Sequence, residues 1–184
     1  TTTQQEIDKR KMATYEGGCF CGAVKVKATG EPLEMGYCHC KNCSRWSGGG
    51  VNPFVLWKQS AVEVSGGDLI KFDKNGGSQN LADWDQGPVP SHDAVACGRL
   101  GGAGAGFSER WACAKCGGSV LDNHRFLPKA TLESFGGPIY DVFAPILPTF
   151  PFKANLHINY ASRMFNMEDG LPKFADFPPP FRGT

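Results

Sequence analysis

Cys38-His39-Cys40-Lys41-Asn42-Cys43 puts three sulfurs within six residues. Cys19-Phe20-Cys21 lies upstream, and Cys113-Ala114-Lys115-Cys116 lies far downstream. Seven of the eight cysteines therefore fall in three tight clusters. Thiols this close in sequence cannot all pair as disulfides without strain, but they can point at one metal ion. A chain knotted at these points needs tight turns between short elements. That predicts a mainly β domain with little helix, stapled by metal.

The residues around the clusters agree. Val24, Val26 and Ala28 alternate with Lys25, Lys27 and Thr29, which predicts a half-buried strand over Ala23 to Thr29. Leu33 to Tyr37 reads as a short strand delivering Cys38, and Ser44 to Ser47 as a helical turn stopped by Gly48-Gly49-Gly50. Val51 to Trp57, Ala61 to Ser65 and Leu69 to Asp73 are apolar or β-branched and read as strands. So do Glu109 onward to the last cysteine pair, Ser119 to Asn123, Ala130 to Phe135 and Asn155 to Tyr160. Asp141 to Phe152, with three prolines, reads as a packed loop, and Ala161 to Met167 as a short helix. Gly17, Gly18 and Gly22 are expected to give the backbone room to turn around a metal. The boundaries predicted are a flexible tail over 1–14 and one domain over 15–180. A long excursion over 78–106 is rich in glycine, and Phe174 to Arg182 is an extended tail.

The ligand count divides the chemistry. Cys19, Cys21, Cys113 and Cys116 make four, the usual closed set of a structural zinc. Cys38, Cys40 and Cys43 make three. Three ligands and an open position are the pattern of a catalytic or exchanging zinc. An all-sulfur shell suits a thiol as fourth ligand, deprotonated on binding. Two zinc ions per chain are expected. Cys97, inside the excursion, is the alternative fourth ligand and would close the site. An iron–sulfur cluster is the other alternative, although clusters usually draw four cysteines.

Composition excludes other classes. The 184 residues carry a net charge of +1, and the only basic run is Lys9-Arg10-Lys11. That is too little for a phosphate-backbone track, so nucleic acid is not an expected partner. No apolar run reaches the roughly 18 residues of a membrane helix. Thr1 to Met12 is polar and lacks a signal-peptide core. Eight cysteines in that context predict a reducing compartment, the cytoplasm.

At these residues the chain resembles the glutathione-dependent formaldehyde-activating enzyme family, which includes centromere protein V. The resemblance rests on Gly17-Gly18-Cys19-x-Cys21-Gly22-x-Val24, Cys38-His39-Cys40-x-x-Cys43 and Cys113-x-x-Cys116-Gly117. His157-Ile158 and Asp169-Gly170-Leu171-Pro172 complete it. It implies a β-rich, tent-like sheet arrangement and two zinc sites divided as above. It implies a carbon–sulfur lyase joining formaldehyde to glutathione as S-hydroxymethylglutathione. The excursion over 78–106 is longer than that connection commonly is, so a larger or different substrate is expected there.

The expected function is addition of a small thiol, glutathione by resemblance, to an aldehyde or related electrophile, or the reverse. Cys40 and His39 are the candidate catalytic residues, with His39 as proton shuttle or hydrogen-bond donor behind the metal. Arg45 and Trp46, which directly follow the three-cysteine set, are candidates for binding substrate carboxylate and walling the pocket. His157 reads as a satisfied core histidine. Two alternatives remain: a lyase, isomerase or cyclase acting on a larger substrate, and a non-catalytic zinc module that binds a partner.

Overall fold

The structure is a computed structural model that describes residues 13–72, 108–124, 127 and 129–178. The tail before residue 13, the whole of the predicted excursion over 78–106 with its Cys97, and the last residues of the C-terminal tail lie outside the described residues.

Two sheets carry the fold. The smaller has β1 (Thr14–Gly18), β2 (Val24–Thr29) and β5 (Val62–Gly66), in the order β1-β2-β5 and antiparallel throughout. The larger contains β3 (Glu34–Cys38), β4 (Asn52–Lys58), β6 (Leu69–Phe72), β7 (Glu109–Cys113), β8 (Ser119–Asn123), β9 (Ile139–Val142) and β10 (His157–Ile158). Its order is β10-β3-β4-β9-β8-β7-β6, and only the β10–β3 pair is parallel. Among the described residues, two short helices complete it, α1 (Lys41–Ser47) and α2 (Lys129–Ser134). The mainly β expectation therefore holds.

Alternation explains how the layers meet. In β2, Val24, Val26 and Ala28 are buried while Lys25, Lys27 and Thr29 are exposed, as the sequence pattern requires. β4 has no polar face, because both its sides are covered. Val55 and Trp57 join the main core with the β2 valines, whereas Phe54 and Leu56 join a second cluster with Cys38, Cys40, Ile139 and Leu156. The first cluster unites the two sheets. The second lies on the opposite face of the larger sheet, and the functional side chains collect there.

Several elements differ from the sequence expectation. Thr14 already pairs with Thr29, so β1 begins inside the stretch read as tail. Ala130 to Phe135 is not a strand: Lys129–Ser134 is α2, with the Phe135 amide donating to the Thr131 carbonyl at 3.3 Å. Thr131 and Phe135 suggest a strand, but Leu132 and Glu133 are good helix formers. The predicted loop over Asp141 to Phe152 starts as the end of β9 and continues as a 3₁₀ turn over Ala144–Ile146, with Pro145 in its first turn. Asn155 to Tyr160 pairs only at His157–Ile158. Ala161 to Met167 is no helix; one 3₁₀ turn covers Tyr160–Ser162 between left-handed Asn159 (φ 54°) and extended Arg163.

Candidate metal centres and the adjoining cavity

Two knuckles build the four-cysteine centre. The first follows β1, where Cys19 and Cys21 flank a turn closed by the Gly22 amide on the Cys19 carbonyl at 2.9 Å. The second joins β7 to β8, where the Gly117 amide donates to the Cys113 carbonyl at 2.8 Å. Gly22 (φ 72°) and Gly117 (φ 70°) are both left-handed, which a Cβ would strain. Gly17 serves differently from the expected turn. It lies in β1, and a Cβ there would run into the Ile146 carbonyl oxygen.

The sulfurs of Cys19, Cys21, Cys113 and Cys116 all lie within 4.8 Å of one another. An ion ~2.3 Å from four tetrahedral sulfurs sets them about 3.8 Å apart. The Cys19–Cys21 separation is 3.6 Å and Cys21–Cys113 is 3.9 Å, so this donor set fits. The Val24 amide donates to Cys19 Sγ at 3.3 Å. Burial opposes ionisation of Cys19, but that amide and the neighbouring thiols outweigh it and bring the thiol down to about 6.

The three-cysteine set sits where β3 runs into α1. Cys38 ends β3, and Cys40 is the N-cap of α1, its sulfur accepting from the Cys43 amide at 3.2 Å. Cys43 lies in the first turn of α1. Cys38 and Cys43 sulfurs are 3.7 Å apart, matching a tetrahedral edge, while Cys40 and Cys43 at 2.9 Å are closer than that edge. Asn159 Nδ2 donates to Cys38 Sγ at 3.4 Å. Among the described residues, no fourth cysteine, histidine or carboxylate completes this set.

These sulfurs open on a cavity of about 110 Å³. A row of cross-strand neighbours forms its floor. Arg110 of β7 opposes Asp122 of β8, Asp122 opposes Asp141 of β9, and Asp141 opposes Leu56 of β4. Arg110 Nη1 donates to Asp122 Oδ2 at 2.6 Å, and its Nη2 lies 3.8 Å from Cys43 Sγ. Asp141 Oδ1 accepts the Val55 amide at 3.1 Å. Burial pushes Asp122 up to about 7, even though Arg110 pulls the other way. Burial, then the neighbouring Asp122, pushes Asp141 well above the usual carboxylate range. The thiols of Cys38 and Cys40, with Arg110 behind them, hold Cys43 well below the usual thiol range against the cost of burial. The remaining walls are largely apolar and include Phe54, Leu56, Ile139 and Leu156.

The sequence candidates fall on both sides of this cavity. Cys38, Cys40 and Cys43 line it; His39, Arg45 and Trp46 do not. Residues 43 and 45 are two apart in α1, so their side chains point ~200° apart around the helix axis. Arg45 accordingly faces solvent. Trp46 packs edge-on to Phe72 at 5.4 Å, with the Arg110 guanidinium 5.7 Å over its ring. The cation facing the cavity is Arg110, which sequence reasoning missed along with Asp122, Asp141 and Asn159.

His39 enters a different network. Its Nε2 lies 2.8 Å from His157 Nδ1, and His157 Nε2 lies 2.8 Å from Asp169 Oδ2. Lys173 also reaches Asp169, at 2.8 Å. The Asp169 carboxylate accepts, so His157 carries its proton on Nε2 and His39 donates from Nε2. Burial brings His39 down to about 4, so it is neutral near pH 7. The chain ties the backbone between Cys38 and Cys40 to the segment after β10. His157 is thus satisfied as expected, and its partner is the histidine that the sequence assigned to catalysis.

Residues 14–84 match the family model described as glutathione-dependent formaldehyde-activating enzyme. Over 46 residues the chain is 37% identical to an uncharacterized lyase of Schizosaccharomyces pombe, a match covering 25% of this chain and 31% of that protein. The chain therefore matches about a third of that relative's length. A crystal structure of a Rhodobacter sphaeroides protein aligns with 73% of this chain and 89% of its own, at 18% identity and a TM-score of 0.41. Among the described residues, no helix is long and apolar enough to cross a membrane.

Proposed function

We infer, from a chain whose residues 14–84 match the glutathione-dependent formaldehyde-activating family model, that this protein is a zinc-dependent carbon–sulfur lyase. It adds a small thiol, glutathione, to an aldehyde, or runs the reverse reaction. The observation that carries this reading is the three-sulfur set at the wall of a cavity, with no fourth ligand among the described residues. Both cysteine sets hold zinc in this reading, the four-cysteine set as a staple and the three-cysteine set as the reactive centre. Zinc on three sulfurs would lower the pKa of a bound thiol and present it as thiolate.

The chain's own residues do the rest. Cys38, Cys40 and Cys43 fix where the thiol sulfur arrives, and Asn159 and Arg110 orient two of them. The apolar walls exclude water from the aldehyde. As the C–S bond forms, the π pair of the carbonyl moves onto oxygen. The proton that the thiol loses passes to that oxygen, and Asp141, buried in the floor of the cavity, is placed to relay it. Nothing is oxidised or reduced, and the product is a hemithioacetal. His39 acts here as a positioning residue, holding the Cys38–Cys40 segment through His157.

Incubating zinc-loaded protein with glutathione and a panel of aldehydes, with product mass measured over time, tests this. Acceleration above the uncatalysed rate is expected for the natural protein and for Cys97→Ser. It should fall at least ~100-fold in Cys40→Ser, the range that loss of one strong electrostatic contribution covers. Equal rates in the natural protein and Cys40→Ser would remove the three-cysteine set from the chemistry. Loss of zinc in Cys97→Ser would make that cysteine a fourth ligand.

A further inference from the structure

The cavity beside the three-cysteine set is lined mainly by apolar side chains, with Glu34, Asn159 and the Ser108–His124 pair at its margins and one strongly polar side. The sulfurs and the row Arg110, Asp122 and Asp141 define the polar side. Phe54, Leu56, Ile139 and Leu156, all buried, define the other. Apolar side chains on an otherwise solvent-facing sheet surface need a cover, and the segment after β10 supplies only part of it. The space left is about 110 Å³. One water occupies ~30 Å³ of liquid, and an apolar cavity of ~150 Å³ takes benzene. Beside the ion and the thiol sulfur that share this space, a one-carbon aldehyde would leave the apolar wall against water, which is unfavourable.

We propose that the electrophile is a hydrophobic aldehyde with a branched chain of about four to six carbons, its skeleton on the Phe54–Leu56–Leu156 wall and its carbonyl toward the sulfurs. This rests on the reading of the site as a thiol–aldehyde centre. Chain length then sets affinity, and the carbonyl chemistry is unchanged. The sulfur bonds to the carbonyl carbon, the π pair moves to oxygen, and one proton passes from thiol to that oxygen.

The test separates binding from turnover. Acetaldehyde and 3-methylbutanal have similar carbonyl reactivity and differ in the chain. With zinc-loaded protein and glutathione, KM for 3-methylbutanal is expected to be at least tenfold lower at similar kcat. In parallel, 3-methylbutan-1-ol and ethanol, which cannot react, are titrated against the protein by NMR. The branched alcohol is expected to bind at least tenfold tighter, and Leu127→Trp, which fills the cavity from its half-buried edge, to abolish that preference. Equal binding of the two alcohols to the natural protein would overturn the proposal, whether or not the variant folds. Tight binding of the branched alcohol with no acceleration for either aldehyde would uphold the cavity's specificity and overturn the lyase reading instead.

Discussion

Cys113→Ser is expected to yield protein that is unfolded or insoluble at 37 °C. Cys113 is fully buried in the main core and is the last residue of β7. Its sulfur belongs to the set that ties the turn after β1 to the turn before β8, residues almost a hundred positions apart. Structural zinc contributes ~10–16 kcal/mol of apparent folding energy in small zinc domains, whereas a whole domain is stable by ~5–15 kcal/mol. Losing one of four ligands removes much of that contribution, and serine is a poor replacement for a thiolate. Cys40→Ser supplies the contrast. Cys40 caps α1 through its side chain, and serine is among the best N-caps, so the helix keeps its cap. The Cys40 variant should fold and lose function; the Cys113 variant should not fold. Circular dichroism and melting midpoints of the two variants decide this. Equal loss of structure in both would make the second centre structural as well.

Arg110→Met is expected to lower the melting midpoint by roughly 6–20 °C at pH 9, and by less at pH 6. Breaking a buried pair by removing one partner costs ~3–5 kcal/mol, and each kcal/mol moves a domain of this size by ~2–4 °C. The pH dependence follows from Asp122, whose carboxyl lies at about 7 with Arg110 beside it. Without the guanidinium it rises further. A carboxyl whose folded pKa lies above its unfolded value gives stability that is complete at low pH and lost as pH rises through the folded value. At pH 6 the Asp122 carboxyl of the variant is protonated and tolerated, whereas at pH 9 it is a buried, unpaired charge. Arg110→Met with Asp122→Leu should recover most of the loss, since an apolar pair can replace a buried ion pair at little cost. A deficit that is constant between pH 6 and pH 9 would show that Asp122 is not the group left unpaired.

These two expectations differ in how much of their basis the sequence carries. The cysteine clusters are legible because metal ligation needs sulfurs at close spacing, and close spacing is a local property. The β2 strand is legible for the same reason, since its alternation is complete within six residues. Arg110, Asp122 and Asp141 are different. Each is a charged residue in a short strand, which reads as a solvent face. Only the register of β7, β8 and β9 sets them side by side under Cys43. The one local signal is that each has an apolar residue in its strand, Ala112, Leu121 or Val142, which is buried. Arg45 was chosen for adjacency to Cys43, and the helical turn carries it to the opposite side. The His39–His157–Asp169 chain spans 118 and then 12 positions, so its outer members showed only as motifs without a partner.

In the proposed function the three-cysteine centre holds an ion with a position open to a thiol. Cobalt(II) in place of zinc makes that position visible through its d–d absorption. Two cobalt ions per chain are expected to load, and added glutathione should change the absorption of one and leave the other unaltered. In Cys40→Ser the thiol-dependent change should be lost. A spectrum of the natural protein with both ions loaded and no response to glutathione would contradict the claim.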